Sequence, residues 1–564
     1  MSLFTPPGSA RRRRRAAAGV ALAAAAAIAL TGCGAGSGSS AADTLVVYTG
    51  QAGDYQLNLN PYSPSSIGGI GSIYESLFFI TNVNTKDPVP LLGTDYAWNE
   101  DGTQLDVTLR EGVKWSDGED FTADDVVFTL QMIADTPSIN STGFDGQVSA
   151  TDDTHVSITW DHPAYVSLPN VLGRMPIVPE HQWKDVDPAT DVMKEPVGTG
   201  AFTLGNFKAQ AFTLAANPDY WDGEPAVKQI RYLSLSGNTA GADALAAGTI
   251  DWQTGPVPDI ANVEENYPGY KAVTIGQNQM ALITCSNADL GCAGPQTDPA
   301  VRHALYQAMD RDQMNALAFQ GTSSEVSPTF ALLPTQEDTI SADVEEKVAP
   351  MKADPEGAAA TLEAAGWAKG SDGIYAKDGE RLALTVEVVT GWTDYITAID
   401  TMSQQMKAAG IELDAAQSSW NEWTDKRTKG NYELVIDSLG QGPSSDPYYL
   451  YNNFLSSANT TEVGTPASTN LSRFADPEVD AALEVLAATS TDDTAARQAQ
   501  FDIIQRKLVD VMPYVPIMTG GTTSEYNDAG FTGWPTDDDL YAFPAIWASP
   551  DNAQVFKALK PAGE

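Results

Sequence analysis

Cysteine and histidine are scarce, with three and four residues in a chain of 564. A structural metal site usually takes four such ligands at close spacing. His155, His162, His181 and His303 form no helical pair, so no direct metal centre and no cofactor are expected. Basic residues are also few, 32 Lys and Arg against 74 Asp and Glu, for a formal net charge of −42. An acidic surface of this kind repels phosphate backbones and anionic headgroups and excludes nucleic acid as a partner. Its simplest role is a well-solvated exterior. No apolar run reaches the roughly 20 residues of a comfortable membrane span. There is no tandem repeat.

What remains is globular. Apolar residues make up 42% and aromatics 9%, as in a packed protein. The length exceeds one ordinary core, so two or three lobes are expected. Arg11–Arg15 precede the short apolar stretch Ala16–Leu30, which together read as a secretory signal peptide over residues 1–32. "LTGC", Leu30–Cys33, resembles a bacterial lipobox. That resemblance implies cleavage before Cys33, lipid on its thiol and new amine, and an anchor on the outer face of the cell membrane. "GAGSGSSAA" then reads as a flexible tether across residues 33–43. Cys285 and Cys292 sit in "CSNADLGC", a loop of turn residues. Outside the cytoplasm two cysteines this close are expected to pair.

Strand and helix patterns intermix throughout, so the fold class is α/β. "TLVVYTG" and "ALTVEVVTG" read as strands, as does "LDVTL" before the "SDGE" turn. "IGGIGSIYESLFFIT" reads as a glycine-started helix. Thr122 reads as the cap of a helix carrying Asp124 and Asp125 in its first turn. "ITAIDTMSQQMKAAG" reads as an amphipathic helix ending at Gly410.

Six segments together resemble the family 5 extracellular solute-binding proteins of ABC importers, which include oligopeptide, dipeptide, nickel and oligosaccharide binders. They are Leu109–Thr129, Pro196–Leu204 ("PVGTGAFTL"), Asn217–Pro225 ("NPDYWDGEP"), Leu245–Trp252, Asp298–Met314 and Ala408–Asp414. They stand in the family's order behind the lipobox. Most are scaffold: turns with glycine, a strand entry at "PVGTG", and Arg302, Asp310 and Arg311 as helix-surface or helix-end ion pairs. The resemblance implies a two-lobed, type II periplasmic-binding-protein fold of the large, cluster C-like kind. In such a fold a hinge closes a cleft on ligand and no chemistry follows; periplasmic binding proteins are a standard case of that motion. By analogy residues 44–81, 196–285 and 525–564 form one lobe, 286–524 the other, and 82–195 an inserted subdomain. The implied partners are a small-molecule ligand and a membrane permease, with the protein itself a monomer.

The ligand must be argued from the site. A free peptide needs a carboxylate for its amine and often a cation for its carboxylate, because unpaired buried charges are expensive. Aligned through Trp420 and Gly430, the family's tryptophan falls on Trp420 and one ligand-side arginine on Arg427. A second arginine falls on Ile436, and the amine-binding aspartate on Gly442, inside "GQGP". Asp446 lies nearby, in a turn shared by peptide and sugar binders.

A neutral turn suits a hydroxyl-rich ligand, whose C–H faces pack on rings and whose hydroxyls meet amides and carboxylates. The expected ligand contacts are Trp252, Gln253, Trp392, Asp394, Trp420, Arg427, Gln441, Tyr448, Tyr449 and Asn452. Tyr448, Tyr449 and Tyr451 cannot all face one way, so at least one belongs to the core. Asn58–Thr81 and "GWTDY" resemble the cello- and β-oligosaccharide branch. An oligosaccharide is therefore the expected ligand. The alternative is an oligopeptide or dipeptide, with Asp446 or Asp251 as amine anchor. A secreted glycosidase is a distant third: its two carboxylates need a fixed separation, and no motif here sets one.

Overall fold

A computed structural model describes residues 43–50, 54–63, 65–255 and 257–563, apart from the side chains of Trp420 and Asn421. The expected signal peptide, Cys33 and the expected tether up to residue 42 lie outside the described residues.

The frame is one sheet of ten strands. Their order is Glu412–Ser418, Ala383–Val389, Leu434–Leu439, Tyr270–Thr284, Tyr514–Asn527, Trp252–Thr254, Thr44–Tyr48, Gln229–Leu233, Ala211–Ala216 and Phe202–Lys208. The two long central strands run antiparallel from Tyr270 opposite Asn527 to Ile283 opposite Tyr514. Their register shifts between Gly276 and Asn278 and again between Met280 and Ala281. Bulges bend and twist a strand locally, and this bend is where the sheet passes from one hydrophobic core to another. Val273, Ile275 and Tyr526 belong to a core with Leu45, Trp252 and Phe556. Leu282, Ile283 and Val515 belong to a second with Leu305, Met402 and Ile436.

A third core has buried members running from Leu77 to Ile177. It is built on the four-stranded sheet Gly93–Trp98, Gln104–Leu109, His155–Thr159, Gln147–Asp152 and on helix Ala123–Asp135. Asp125 accepts from the Thr122 N–H at 3.0 Å, fixing the start of that helix. Gly410, at φ +84, follows the helix Thr393–Ala408.

Two local expectations are corrected. "IGGIGSIYESLFFIT" forms only the single turn Ile70–Ile73, followed by the short strand Phe78–Phe79. The Ile73 carbonyl, which a longer helix would need, instead accepts from the Gly200 N–H of "PVGTG" at 2.9 Å. Arg302 and Arg311 are not surface ion-pair residues: both are 1% exposed. Arg302 donates to the carbonyls of Val511 and Gln296, at 2.8 and 2.6 Å. Arg311 donates to those of Ile517, Pro516 and Pro350 at 2.8–2.9 Å. Each cation ties distant backbone segments together. Cys285 and Cys292 are joined by a disulfide.

Candidate functional site

The turn after strand Leu434–Leu439 brings the cores together. Gly442 takes φ +93, and a Cβ there would lie 2.5 Å from that of Tyr449. Only glycine fits both demands. Its carbonyl accepts from Asn82 Nδ2 at 3.3 Å, while Asn82 Oδ1 accepts from Gln277 of the long strand at 3.0 Å. Arg174 donates to the Pro443 carbonyl at 3.3 Å and to the Ser549 carbonyl at 3.4 Å. Tyr449 donates its hydroxyl to the Val166 carbonyl at 2.7 Å. The turn thus meets its neighbours through backbone carbonyls.

Around this junction lies a cavity of about 890 Å³, lined by Tyr448, Tyr449, Asn452, Asn170, Gln277 and Trp547 among others. A second, of about 730 Å³, shares Arg174, Trp547 and Ser549 with it and adds Tyr62, Tyr74 and Asn552. A third, of about 360 Å³, also shares Trp547 and contains Asp394 and Tyr395. In the first two, Arg174 and Asp551 are the charged residues among the described linings, and they have opposite signs. Burial pulls the Arg174 guanidinium down and Asp551 opposes it. Burial pushes the Asp551 carboxyl up, while the Arg174 charge, the Phe543 N–H and Thr81 pull it back. A further cavity of about 920 Å³ shares Gln277 but is walled by Glu325, Glu337 and Asp537–Asp539. None of the residues expected from the sequence lines it.

Of those residues, Tyr448, Tyr449 and Asn452 meet at the 890 Å³ cavity and Asp394 at the smallest. The side chain of Trp420 lies outside the described residues. Four expectations are corrected. Trp252 is 0% exposed and packs edge-on against Trp534 and Phe556, each 5.5 Å away, so its ring is core. Gln253 is buried opposite Glu525 on the neighbouring strand. Arg427 pairs with Asp437 and lies 4.3 Å over the Trp423 ring. Gln441 is buried and accepts from Gln336 at 3.4 Å. Trp392 is half-buried, edge-on to Tyr395 and Trp423 at 5.5 and 5.0 Å. All three tyrosines are buried in one core; Tyr451, 0% exposed, lines none of these cavities and donates to the Thr329 carbonyl at 3.0 Å.

Both candidate amine anchors are engaged elsewhere. Asp446 pairs with Arg497 and accepts from the Tyr448 N–H at 2.9 Å. Asp251 accepts from Val46 N and Asn527 Nδ2, each at 2.8 Å. Sequence reasoning missed Arg174, Asp551 and Trp547. For Arg174 a signal exists, a lone cation inside the apolar run "VLGRMPIV".

Among the described residues no group of three or more His, Cys, Asp or Glu could hold a metal ion. No helix among them is long and apolar enough to cross a membrane.

Residues 87–462 match the family model described as bacterial extracellular solute-binding proteins, family 5 middle. Protein XP55 of Streptomyces lividans is 31% identical over 457 residues, covering 79% of this chain and 76% of that one. The oligopeptide-binding protein AppA of Bacillus subtilis is 25% identical over 467 residues, covering 77% and 79%. Two crystal structures of a Thermotoga maritima oligopeptide ABC transporter periplasmic oligopeptide-binding protein share the fold at 22% identity. One has a TM-score of 0.82, covering 92% of this chain and 99% of the other. The second, bound to mannohexaose, has a TM-score of 0.75, covering 93% and 100%.

Proposed function

Since the chain belongs to the family 5 bacterial extracellular solute-binding proteins, which bind solutes for ABC importers, we propose that its ligand is a neutral oligosaccharide of the cello- or β-linked type. The observation that carries this reading is the lining of the two adjoining cavities. Rings, amides and hydroxyls dominate the 890 Å³ cavity, the 730 Å³ cavity adds Tyr62, Tyr74 and hydroxyls among glycine, isoleucine and proline, and the two charged residues, Arg174 and Asp551, are of opposite sign. A pyranose chain gains from such walls without bringing a charge that needs a partner. The mannohexaose carried by the Thermotoga relative is consistent with it. The assigned lobes are residues 44–81, 196–285 and 525–564 against 286–524, with 82–195 inserted. The anchor is lipid on Cys33, and the protein acts as a monomer. Thermal melting with neutral β-oligosaccharides and with mixed peptides tests the ligand class. Oligosaccharides are expected to raise the midpoint; a rise with peptides alone contradicts the reading.

A peptide is the second reading, favoured by AppA and by one feature of the cleft. Arg174 and Asp551 would offer a cation and a carboxylate to peptide termini. The neutral double variant Arg174→Gln/Asp551→Asn separates the two. Neutral-sugar affinity is expected to stay within a few-fold, whereas peptide affinity would fall by about 2–5 kcal/mol. Calorimetry on the variant reads this directly.

Cys33→Ala is expected to move the protein from the membrane fraction to the medium, because a stable anchor needs the acyl chains. Fractionation followed by immunoblotting checks it, and continued membrane attachment contradicts the lipid assignment.

A further inference from the structure

Trp547 is the side chain on which three cavities converge: it lines those of about 730, 890 and 360 Å³. It is 53% exposed, although its neighbours Ala545 and Ile546 are fully buried. The loop that carries it is pinned on both sides. The Ile546 N–H donates to Thr254 Oγ1 at 3.0 Å, and the Ile546 carbonyl accepts from Asn552 Nδ2 at 2.8 Å. The Phe543 N–H donates to Asp551 at 2.9 Å, and the Phe543 ring meets Trp547 edge-on at 5.7 Å. Thr254, Asp551 and Asn552 are all buried. The backbone therefore cannot turn the indole inward without breaking buried hydrogen bonds, each costly to leave unmade. A large ring held out of the core by a rigid loop is a preorganised contact surface.

Each of the three cavities lies within roughly the 300–1,000 Å³ that holds one small molecule. Together they exceed it, and they meet at one indole. We propose that Trp547 is the platform over which a ligand of several units runs, with the cavities around it as adjoining subsites. This rests on the reading of the cleft as the solute site, and it makes that solute an oligomer selected by length.

The test is calorimetry on the detergent-extracted protein with two ladders, glucose to cellohexaose and peptides of two to six residues. Wild type, Trp547→Ala and Trp547→Phe are compared. Wild-type affinity is expected to rise with length. Trp547→Ala should flatten that rise, losing on the order of tenfold or more for the hexamer and little for the monomer. Trp547→Phe should restore most of it. Equal losses at every length, or none, overturn the platform. If only the peptides bind, the sugar reading falls, and the same comparison along the peptide ladder still decides the role of Trp547. Failure of both ladders contradicts both.

Discussion

Raising the pH from 5 to 9 is expected to destabilise this protein, and Glu525→Gln is expected to remove a large part of that loss. Glu525 lies on the long strand Tyr514–Asn527, opposite Gln253 and Ala272, and is 0% exposed. Burial pushes its carboxyl from 4.5 up to about 8, with the Gln253 side chain pulling weakly the other way. The folded protein thus holds a proton that the unfolded chain gives up near 4.5. The stabilisation is complete below that pH and is lost as pH rises through about 8. Between pH 5 and 9 the difference amounts to on the order of 4 kcal/mol for this one group. Glutamine has the same shape and does not titrate. Urea denaturation of both proteins at each pH reads the effect: the variant's stability should fall less steeply. Parallel pH curves would place Glu525 in a polar setting after all.

Arg497→Leu is expected to cost about 3–5 kcal/mol, because it strands a buried carboxylate. Arg497 sits on helix Thr494–Val511 and pairs with Asp446, their side chains only 5% and 19% exposed. It also donates to the carbonyls of Leu486 and Thr489, each at 3.1 Å. Asp446 in turn accepts from the Tyr448 N–H at the start of helix Tyr448–Leu455, which carries Tyr449 and Asn452 to the cleft. Ligand affinity should therefore fall along with stability. The double variant Arg497→Leu/Asp446→Asn should recover part of the loss, since the orphaned charge is then gone. Denaturation of the two singles and the double closes the cycle. A single variant within 1 kcal/mol of wild type would contradict a buried, coupled pair.

The family was legible because its marks are local. "SDGE", "NPDYWDGEP" and the Thr122 helix start are turn and cap chemistry, decided by neighbours in sequence. The Gly442 turn was legible for the same reason: an uncharged turn beside three tyrosines is visible in the string of residues. Trp252 and Trp547 show where local reading stops. Both are tryptophans near strand or loop ends, yet Trp534 and Phe556 close over the first, while buried Thr254 and Asn552 hold the second outward. Trp534, Phe556 and Thr254 lie far away in sequence, and Asn552, in the helix Asp551–Ala558, reaches back to the Ile546 carbonyl in a way no periodicity shows. Arg302 and Arg311 fail for a related reason: an arginine is normally exposed, and only the fold reveals the carbonyls it gathers.

The most direct test of the cleft is a crystal structure of the protein with the cargo it carries from its own cells. A neutral sugar chain lying across the Trp547 indole, with no ligand charge on Arg174 or Asp551, is the predicted result. A peptide with its carboxylate on Arg174 and its amine on Asp551 would contradict the neutral-oligosaccharide account.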